Sequence, residues 1–321
     1  MEMNMENNTA LTAQDVADIL KIAKNTVYEL IKRGELNSYK VGRKVRFTLS
    51  DVEEYIASSK SIQKPLAGSV VNPSQSSLIQ TNPAFPGNDF IICGQDLMLD
   101  VLSSYVEKQA PGTRTLRSYI GSYNSLVALY QGHVQVATAH LWDGDTGDYN
   151  LPYVRRLLPG IPTIIIHLTA RIQGFYVAKG NPKNIHTWSD LVQPDLTIIN
   201  REKGSGSRIL LDEHLRLLGI NGASINGYLR ESQSHFAVAS TVGRGGADVA
   251  VGQEKVASQI KDIDFIPLQK ERYELVIKKE DYHTAPVQAI LKILRSEEFR
   301  LEFEGIDGYY IEEMGNIIAE I

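Results

Sequence analysis

Cysteine, long apolar runs and a secretory leader are scarce or missing in this sequence. Cys93 is the only cysteine among 321 residues, which excludes a disulfide framework and a cysteine zinc site, and we interpret it as a small buried strand residue. No apolar run approaches the length of a membrane span, and segment 1–10 is polar, without the apolar core of a secretory signal. We therefore expect a soluble, cytoplasmic protein.

Excess charge and the usual catalytic motifs are missing as well. The net charge of −5 gives no overall attraction to nucleic acid or membranes, so any DNA-binding surface must be local. The sequence has no nucleotide-binding loop, no dinucleotide fingerprint, no metal-ligand cluster and no nucleophile–base pair at an interpretable spacing. We expect neither enzyme activity nor a cofactor. The length suits two or three domains of ordinary apolar content.

Residues 1–60 have the pattern of a small basic helical domain. Thr12, with Asp15 three positions further on, predicts a capped helix, and a second helix is predicted over 24–32, ending at Gly34. Two short helices joined by a tight turn are typical of a helix-turn-helix.

A hairpin and a local basic patch follow. Residues 36–47 predict two short strands around a turn at Gly42, which is a wing, and Ser50 is expected to cap a third helix over 51–58. Between positions 21 and 46, eight lysine and arginine residues accompany two glutamates. Such a patch suits contact with phosphates and supports a DNA-binding role.

This segment closely resembles the excisionase-type, MerR-like winged helix-turn-helix. The resemblance rests on Leu11-Thr12, Asp15-Val16-Ala17, Thr26-Val27-Tyr28, Arg33-Gly34-Glu35-Leu36, Lys40-Val41-Gly42-Arg43, Arg46-Phe47, Asp51-Val52 and Tyr55-Ile56. It implies that the helix from position 24 enters the major groove of double-stranded DNA. The base-facing and phosphate-binding residues that it implies are Lys24, Asn25, Thr26, Tyr28, Arg33, Arg43, Lys44 and Arg46.

Residues 61–88 have the composition of a linker. Four prolines and many Ser, Asn and Gln residues leave no helix or strand period. We therefore predict a DNA-binding domain at 1–60, a linker at 61–88 and a ligand-sensing domain at 89–321.

From position 89 onward, the sequence repeats the order strand, glycine-containing turn, helix. This alternation predicts an α/β domain with a largely parallel sheet, whose ligands bind at the carboxyl ends of the strands. Strands are predicted at 161–168 and 174–179, on either side of Thr169-Ala170-Arg171, and the strands predicted at 265–268 and 273–277 cross back from the second lobe. We predict a hinged clamshell whose first lobe comprises about 89–183 and 265–321 and whose second lobe comprises about 184–264.

Three turns at helix starts form the candidate ligand site. They are Gly94-Gln95-Asp96 and segment 121–125 from the first lobe, and segment 204–208 from the second. Glycine lets the backbone approach a ligand, and the unpaired N–H groups, helix dipole and serine hydroxyls suit an anion. The candidate ligand-binding residues are Gln95, Asp96, Ser122, Tyr123, Asn124, Ser125, Ser205, Gly206, Ser207, Arg208 and His235.

Several of these residues also have an ordinary structural interpretation. Each serine can cap a helix, and a capping serine can also face a ligand. Asp96 would repel an anion, so we expect a cap or a hydrogen-bond organiser, although a carboxylate also suits a ligand with donor groups. Arg208 either binds the ligand through two hydrogen bonds or forms a salt bridge with Asp212 on the same helix. Lone histidines such as His140 and His235 are more often structural groups than ligands.

The same segments resemble the cytoplasmic relatives of periplasmic type-2 substrate-binding proteins, the molybdate-binding-protein-like group. The match covers nearly all of 89–300 and includes Gly121-Ser122, Gly132-His133-Val134, Ala139-His140-Leu141, Gln173-Gly174, Gly180-Asn181-Pro182, Asn200-Arg201, Gly204-Ser205-Gly206-Ser207-Arg208 and Asp264-Phe265-Ile266-Pro267-Leu268. It implies a two-lobed α/β clamshell with a ligand in the interlobe cleft, and molybdate and tungstate as candidate ligands.

Three functions stay open from the sequence. The leading hypothesis is a one-component transcription regulator, in which an oxyanion closes the clamshell and the closed state alters the arrangement of the DNA-binding domains. The second is an enzyme acting on a phosphorylated small molecule in the same cleft. The third is a DNA-binding accessory protein without a ligand response. The expected partners are double-stranded DNA and a small ligand, not a membrane, and the assembly, monomer or homo-oligomer, stays open.

Overall fold

The computed structural model describes residues 11–32, 36–41, 44–49, 51–52, 55 and 89–321. By its internal contacts, the chain divides into one unit within positions 1–80 and another within 81–321. In these described parts, no helix combines the length and the apolar character needed to cross a membrane.

The N-terminal unit contains two helices and a hairpin. Helix α1 spans Ala13–Leu20 and α2 spans Lys24–Lys32. Strand β1 (Tyr39–Val41) pairs antiparallel with β2 (Lys44–Arg46). The two predicted helices and the predicted hairpin are confirmed.

Capping and burial explain why the helices form here. Thr12 and Asp15 form a capping box that satisfies the first N–H groups of α1. Val27 and Leu30 are one turn apart on α2 and pack with Phe47 in the apolar core of the unit.

The third helix begins earlier than predicted. Leu49 is already helical, and Thr48 and Asp51 exchange capping hydrogen bonds of 2.7 and 3.2 Å. The Thr48 hydroxyl thus takes the capping role that we expected of Ser50, because it satisfies the free N–H of Asp51. Ser50, the predicted end of this helix and the predicted linker at 61–88 lie outside the described residues.

The C-terminal unit mixes helices and strands. Its strands are β3 (Asp89–Cys93), β4 (Arg114–Ser118), β5 (Val136–Ala139), β6 (Thr163–Ala178), β7 (Asn200–Arg201), β8 (Glu231–Ser232), β9 (Val249–Gln253), β10 (Ile263–Lys278) and β11 (Ile317–Glu320). Its α-helices are α3 (Leu97–Gln109), α4 (Ser122–Tyr130), α5 (Leu151–Leu157), α6 (Gly206–Leu217), α7 (His235–Gly243), α8 (Glu254–Ala257), α9 (Ala285–Leu294) and α10 (Glu297–Leu301). Short 3₁₀ helices span Trp188–Val192, Gly222–Ser224 and Lys279–Asp281.

Seven strands form one sheet in the order β11-β6-β10-β5-β3-β4, with β9 paired to a different part of β6. Strand β3 pairs parallel with β4 and β5, whereas the pairs β10–β5, β10–β6, β11–β6 and β6–β9 are antiparallel. The prediction of a largely parallel sheet is therefore wrong. Within this sheet, parallel pairing is limited to β3, β4 and β5. Strand β10 runs antiparallel both to β5 and to β6.

Strands β6 and β10 are continuous, which corrects the predicted break at Thr169-Ala170-Arg171. They pair from Thr163 opposite Lys278 to Ala178 opposite Ile263, with irregularities only at 267–269 and 273–274. Thr169 and Arg171 stay inside the strand because their polar side chains form hydrogen bonds with Tyr310 and Glu271.

Both long strands pass through both lobes. Ile165 and Ile166 of β6 lie in two different core clusters on opposite faces of the first lobe. Phe175 and Tyr176 of the same strand lie in two further core clusters, on opposite faces of the second lobe. We propose that the lobes meet inside these strands, near Arg171.

Candidate ligand-binding cleft

A buried arginine on β6 forms the floor of the cleft. The Arg171 side chain is 2% exposed, and its Nε donates to Oε1 of Glu271 on β10 over 2.6 Å. Its Nη1 donates to Oδ2 of Asp96 over 2.8 Å, and the guanidinium lies 3.9 Å from the ring centre of Tyr273. Burial alone lowers the pKa of Arg171, but the two carboxylates outweigh burial and raise it. The charge is thus matched inside the protein.

Glu271 extends this network towards both lobes. Its Oε2 accepts from Nε2 of Gln173 over 2.9 Å and is 2.6 Å from Nδ1 of His140. Gln173 in turn accepts from the Ser207 hydroxyl over 3.0 Å. Burial by itself raises the pKa of Glu271, but Arg171, His140 and Gln173 together lower it to about 2. Glu271 is therefore ionised at any physiological pH.

The first turn contributes an organising carboxylate and a bridging amide. Asp96 is the N-cap of α3, where Oδ1 accepts from the N–H of Met98 and from the Tyr309 hydroxyl over 2.6 Å. Gln95 accepts from Nη2 of Arg201, which belongs to the second lobe, over 2.7 Å. The structure thus gives Asp96 the contacts of a cap and a hydrogen-bond organiser.

The second turn starts α4 with Gly121 as its N-cap. The Ser122 hydroxyl accepts from the N–H of His140 over 3.3 Å, and the Ser125 hydroxyl accepts from the N–H of Thr138 over 3.1 Å. Both serines therefore anchor the end of β5.

The third turn starts α6 with Ser205 as its N-cap. The Ser205 hydroxyl accepts from the N–H of Arg208 over 3.3 Å and donates to the carbonyl of Glu202 over 2.9 Å. A Cβ atom at Gly206 would lie 2.4 to 2.6 Å from His140 atoms, so only glycine permits this contact between the lobes.

Arg208 points to its own lobe. Its Nε lies 3.0 Å from Asp212, its Nη1 lies 3.2 Å from Glu231, and the guanidinium covers the Tyr228 ring at 4.3 Å. The salt bridge to Asp212, which the sequence left as the alternative, is present. We therefore leave Arg208 out of the ligand contacts that we propose.

The starts of α4 and α6 touch each other across the cleft. The N–H of Tyr123 donates to the carbonyl of Gly204 over 2.9 Å, and a Cβ atom at Gly121 would lie 2.8 Å from the same oxygen. Together with the Gln95–Arg201 bond, these contacts define a closed arrangement of the lobes.

His235, at the start of α7, has one ring nitrogen without a partner. When the Gln253 amide oxygen faces the arginine, it accepts from Nε2 of His235 at 3.2 Å and from Arg171 at 3.0 Å. Nδ1 of His235 is buried and has no hydrogen-bond partner. Burial, with smaller effects of Arg201 and His140, lowers the pKa of His235 well below its ordinary value. The imidazole is therefore neutral, and Nδ1 is a free acceptor at the cleft.

Two adjacent compartments lie among these groups. The inner cavity has a volume of about 20 Å³ for the centre of a water-sized sphere, and its polar lining includes Gln95, Ser122, His140, Arg171, Arg201 and Ser205. A wider outer compartment of about 760 Å³ by the same measure shares Gln95, Gly121, His235 and Gln253 with it. The inner cavity suits a compact group of a few oxygen atoms.

The structure brings some predicted residues together and separates others. Gln95, Ser122, Ser205 and His235 line the inner cavity, and Asp96 and Asn124 line the outer compartment. The predicted residues that line neither compartment are Tyr123, Ser125, Gly206, Ser207 and Arg208.

Sequence reasoning missed Arg171, Arg201, Gln253 and Glu271. The signal for Arg171 was a charged residue within a mostly apolar segment, a position that requires a buried partner, whereas Glu271 lies in the polar run 269–272 and gave no such signal. Across the described parts of the chain, no group of three or more His, Cys, Asp or Glu side chains is arranged to hold a metal ion.

In the N-terminal unit, α2 exposes four of the residues that the resemblance implies contact DNA. Lys24, Asn25, Thr26 and Tyr28 are all exposed, because the helix buries its opposite side in the core.

The hairpin supplies the other assigned residues. Lys44 is exposed, and half-buried Arg46 donates to the carbonyl of Val45 over 3.0 Å. Arg33 and Arg43 lie outside the described residues.

These features define a class of protein, a two-lobed binding domain joined to a helix-turn-helix. The family model described as "PBP superfamily domain" matches residues 103–295, and the model described as "Helix-turn-helix domain" matches residues 10–60. The chain belongs to the PBP superfamily and has an excisionase-like helix-turn-helix domain at its N-terminus. The predicted two-lobed α/β clamshell with a winged helix-turn-helix is confirmed.

Two bacterial proteins are similar in sequence. "Uncharacterized protein YvgK" of Bacillus subtilis (strain 168) is 40% identical over 316 residues, which cover 98% of this chain and 100% of that protein. A Clostridium pasteurianum sequence, "Uncharacterized protein in ferredoxin 2Fe-2S gene 5'region", is 59% identical over 113 residues, which cover 35% of this chain and 100% of that sequence.

Solved structures share the fold at low identity. EhuB in complex with hydroxyectoine has a TM-score of 0.51 at 12% identity, covering 72% of this chain and 92% of that one. A mutant of ArgBP from T. maritima has a TM-score of 0.50 at 14% identity, covering 68% of this chain and 95% of that one. At these identities the likeness shows the fold alone.

A second set of contacts joins the lobes outside the inner cavity. His214 on α6 is stacked between Trp142 and Trp188, with ring centres 4.3 Å apart on both sides. Glu213 also accepts from the N–H of Gly144 over 2.9 Å. Trp142 follows β5 of the first lobe, so its stacking depends on closure, whereas Trp188 and His214 both belong to the second lobe.

We expect Gly121→Ala to disfavour closure. Its methyl group would meet the Gly204 carbonyl and the Ser205 N–H of the other lobe at about 3 Å, which should cost about 1–3 kcal/mol as overpacking does. Ligand affinity, measured by calorimetry, should fall by about 5- to 150-fold. Gly243→Ala, whose methyl group meets only side chains, is the matched control. Equal affinities of the two variants would contradict the closed arrangement.

The two tryptophans should report on closure separately, because the chain has no others. In Trp188→Phe, the remaining Trp142 should shift its emission to shorter wavelength when a bound ligand closes the cleft. In Trp142→Phe, the remaining Trp188 should respond little, since its partner His214 moves with it. If the emission shifts of the two variants are equal in size, Trp142 does not separate from His214 when the lobes open.

Proposed function

We propose that this protein is a one-component transcription regulator of the cytoplasm that senses a small oxyanion, with molybdate and tungstate as the candidates. The helix-turn-helix binds double-stranded DNA, and the oxyanion lies in the inner cavity between the lobes. Both matched domain types are binding modules, which favours a regulator over the enzyme alternative.

The observation that carries the proposal is the convergence of two helix N-termini on one small polar cavity. Ser122 at the start of α4 and Ser205 at the start of α6 line that cavity from opposite lobes. First-turn N–H groups and the positive ends of the helix dipoles favour an anion there. A ligand held by both lobes binds the closed state better than the open one, which is the condition for a switch.

The charged side chains around the cavity fit a ligand selected by hydrogen bonds. Arg171 is neutralised by Glu271 and Asp96, and Arg201 is paired with Glu202 over 2.9 Å. The cavity therefore offers amide, hydroxyl and guanidinium donors without a large excess of positive charge. Such a site discriminates between anions by size and by hydrogen bonds rather than by charge alone.

An oxyanion that binds only the folded, closed protein should raise its thermal stability. Molybdate, tungstate, sulfate and phosphate would each be titrated, and the preferred anion should add about 2.7 kcal/mol at one hundred times its Kd. Ser122→Ala with Ser205→Ala should lose this response. Ser104→Ala, which removes an exposed hydroxyl on α3, should keep it. Absence of any stabilisation by all four anions would refute an oxyanion site and favour the accessory-protein alternative.

For DNA, Lys24→Ala with Lys44→Ala should weaken binding to every sequence alike. Both side chains are exposed at the predicted interface, and losing two phosphate contacts should lower the slope of log K against log salt by about 2. Fluorescence anisotropy at several salt concentrations would measure this, with Lys292→Ala as the control. An unchanged slope would contradict the phosphate-contact assignment.

A further inference from the structure

The outer compartment is far larger than an inorganic oxyanion requires. Its volume of about 760 Å³ compares with about 20 Å³ for the inner cavity by the same measure. Pockets of about 300–1,000 Å³ with apolar and aromatic walls are typical of organic ligands. The two compartments share the lining residues Gln95 and His235 and are therefore adjacent.

Apolar side chains from both lobes line this compartment. Leu97 and Tyr119 from the first lobe are 54% and 61% exposed, and Phe236 from the second is 53% exposed. Single exposed apolar residues are ordinary, but these three line the same pocket, and exposed apolar groups gathered at one place are typical of a binding site.

The Tyr119 ring is held in place before any ligand arrives. Its hydroxyl donates to Asp100 over 2.8 Å, and the guanidinium of Arg117 lies 5.1 Å from its ring centre. Arg117 is itself bound to Asp100 over 2.7 Å. A fixed, exposed aromatic face costs little entropy when a flat group stacks on it.

Phe236 brings a second ring next to the polar cavity. It follows His235, whose unpartnered Nδ1 is an acceptor at the boundary of the two compartments. Asn124, Gln233 and Gln259 add amide groups to the outer wall. The outer compartment thus combines aromatic faces and amide groups with the charged side chains of Asp96, Glu202 and Lys255. Apolar walls with a few placed polar groups suit an unsaturated ring that carries polar atoms.

We propose that the cleft also accepts an organic anion, with its oxyanion group in the inner cavity and a flat unsaturated ring in the outer compartment against Tyr119 and Phe236. This inference rests on the proposed oxyanion site and adds the class of molecule that carries the anion. The ring binds by stacking and apolar burial, and the anionic group binds at the two helix N-termini.

The test compares anions that share a head group and differ only in a ring. Calorimetry would measure phosphate against phenyl phosphate and sulfate against phenyl sulfate. In at least one pair, the phenyl ester should bind at least about tenfold more tightly than its inorganic anion, a gain of about 1.4 kcal/mol.

Paired variants assign that gain to the outer compartment. Tyr119→Ala with Phe236→Ala should reduce the advantage of the phenyl ester to within about twofold, while the affinity for the inorganic anion stays the same. Tyr130→Ala with Leu229→Ala removes two exposed apolar side chains outside the compartment and should leave the advantage intact. All four substituted side chains are exposed, so the thermal stability of both double variants should match the parent.

The outcomes separate this inference from the proposed function. If inorganic anions bind and neither phenyl ester binds more tightly, the organic ligand is refuted and the oxyanion site stands. If both double variants lose the advantage equally, the outer compartment is not its source and the inference fails. If no anion of either kind binds, both proposals fall. If phenyl esters bind without dependence on Ser122 and Ser205, the ring subsite stands and the assigned oxyanion contacts do not.

Discussion

The buried ion pair between Arg171 and Glu271 is the interaction on which the cleft depends. It joins β6 to β10 at the point where we propose that both strands pass from one lobe to the other. Removing one member of such a pair typically costs about 3–5 kcal/mol, because the other charge is left buried and unpaired. The pair also fixes its neighbours: Asp96 of the first turn binds the arginine, and His140 and Gln173 bind the glutamate. All three turns are therefore positioned from one buried centre.

The placement of this pair explains the character of the ligand site. The carboxylates that would repel an anion are bound to arginines, so their charges do not dominate the cavity. In the proposed oxyanion site, the starts of two helices would supply the principal donors, and these helices come from opposite lobes. Their separation changes when the lobes move, so affinity and conformation are linked at the same atoms. A site assembled from one lobe alone would bind a ligand without reporting it.

The sequence predicted what depends on local patterns. Thr12 and Asp15 marked the first helix, the second helix has the predicted bounds, and the glycine turns at 121 and 204 start helices as expected. It did not predict the continuous strands, because Arg171 and Gln173 interrupt the apolar period and their partner Glu271 is about one hundred positions away.

Sequence patterns also did not predict which side chains face the cavity. Ser205 lines the cavity whereas Ser207 donates to Gln173 behind it. Residues two positions apart on a helix lie on different faces, and sequence patterns do not say which of the two faces the cleft.

Closure is held on two sides, and the contacts on the side of the tryptophan stack are individually weak. The exposed pair Arg216–Asp145, at 2.8 Å, is of a kind worth about 0–1 kcal/mol, and the stack of His214 with Trp142 adds a contact of about 0.5–1.5 kcal/mol. These contributions are comparable to what a few ligand hydrogen bonds supply. A ligand can therefore decide the balance between open and closed lobes only by bridging them. The proposed anion would bridge them at Ser122 and Ser205, and the proposed ring would bridge them a second time at Tyr119 and Phe236. Two bridges widen the difference in affinity between the two states, and that difference sets the largest shift a ligand can cause.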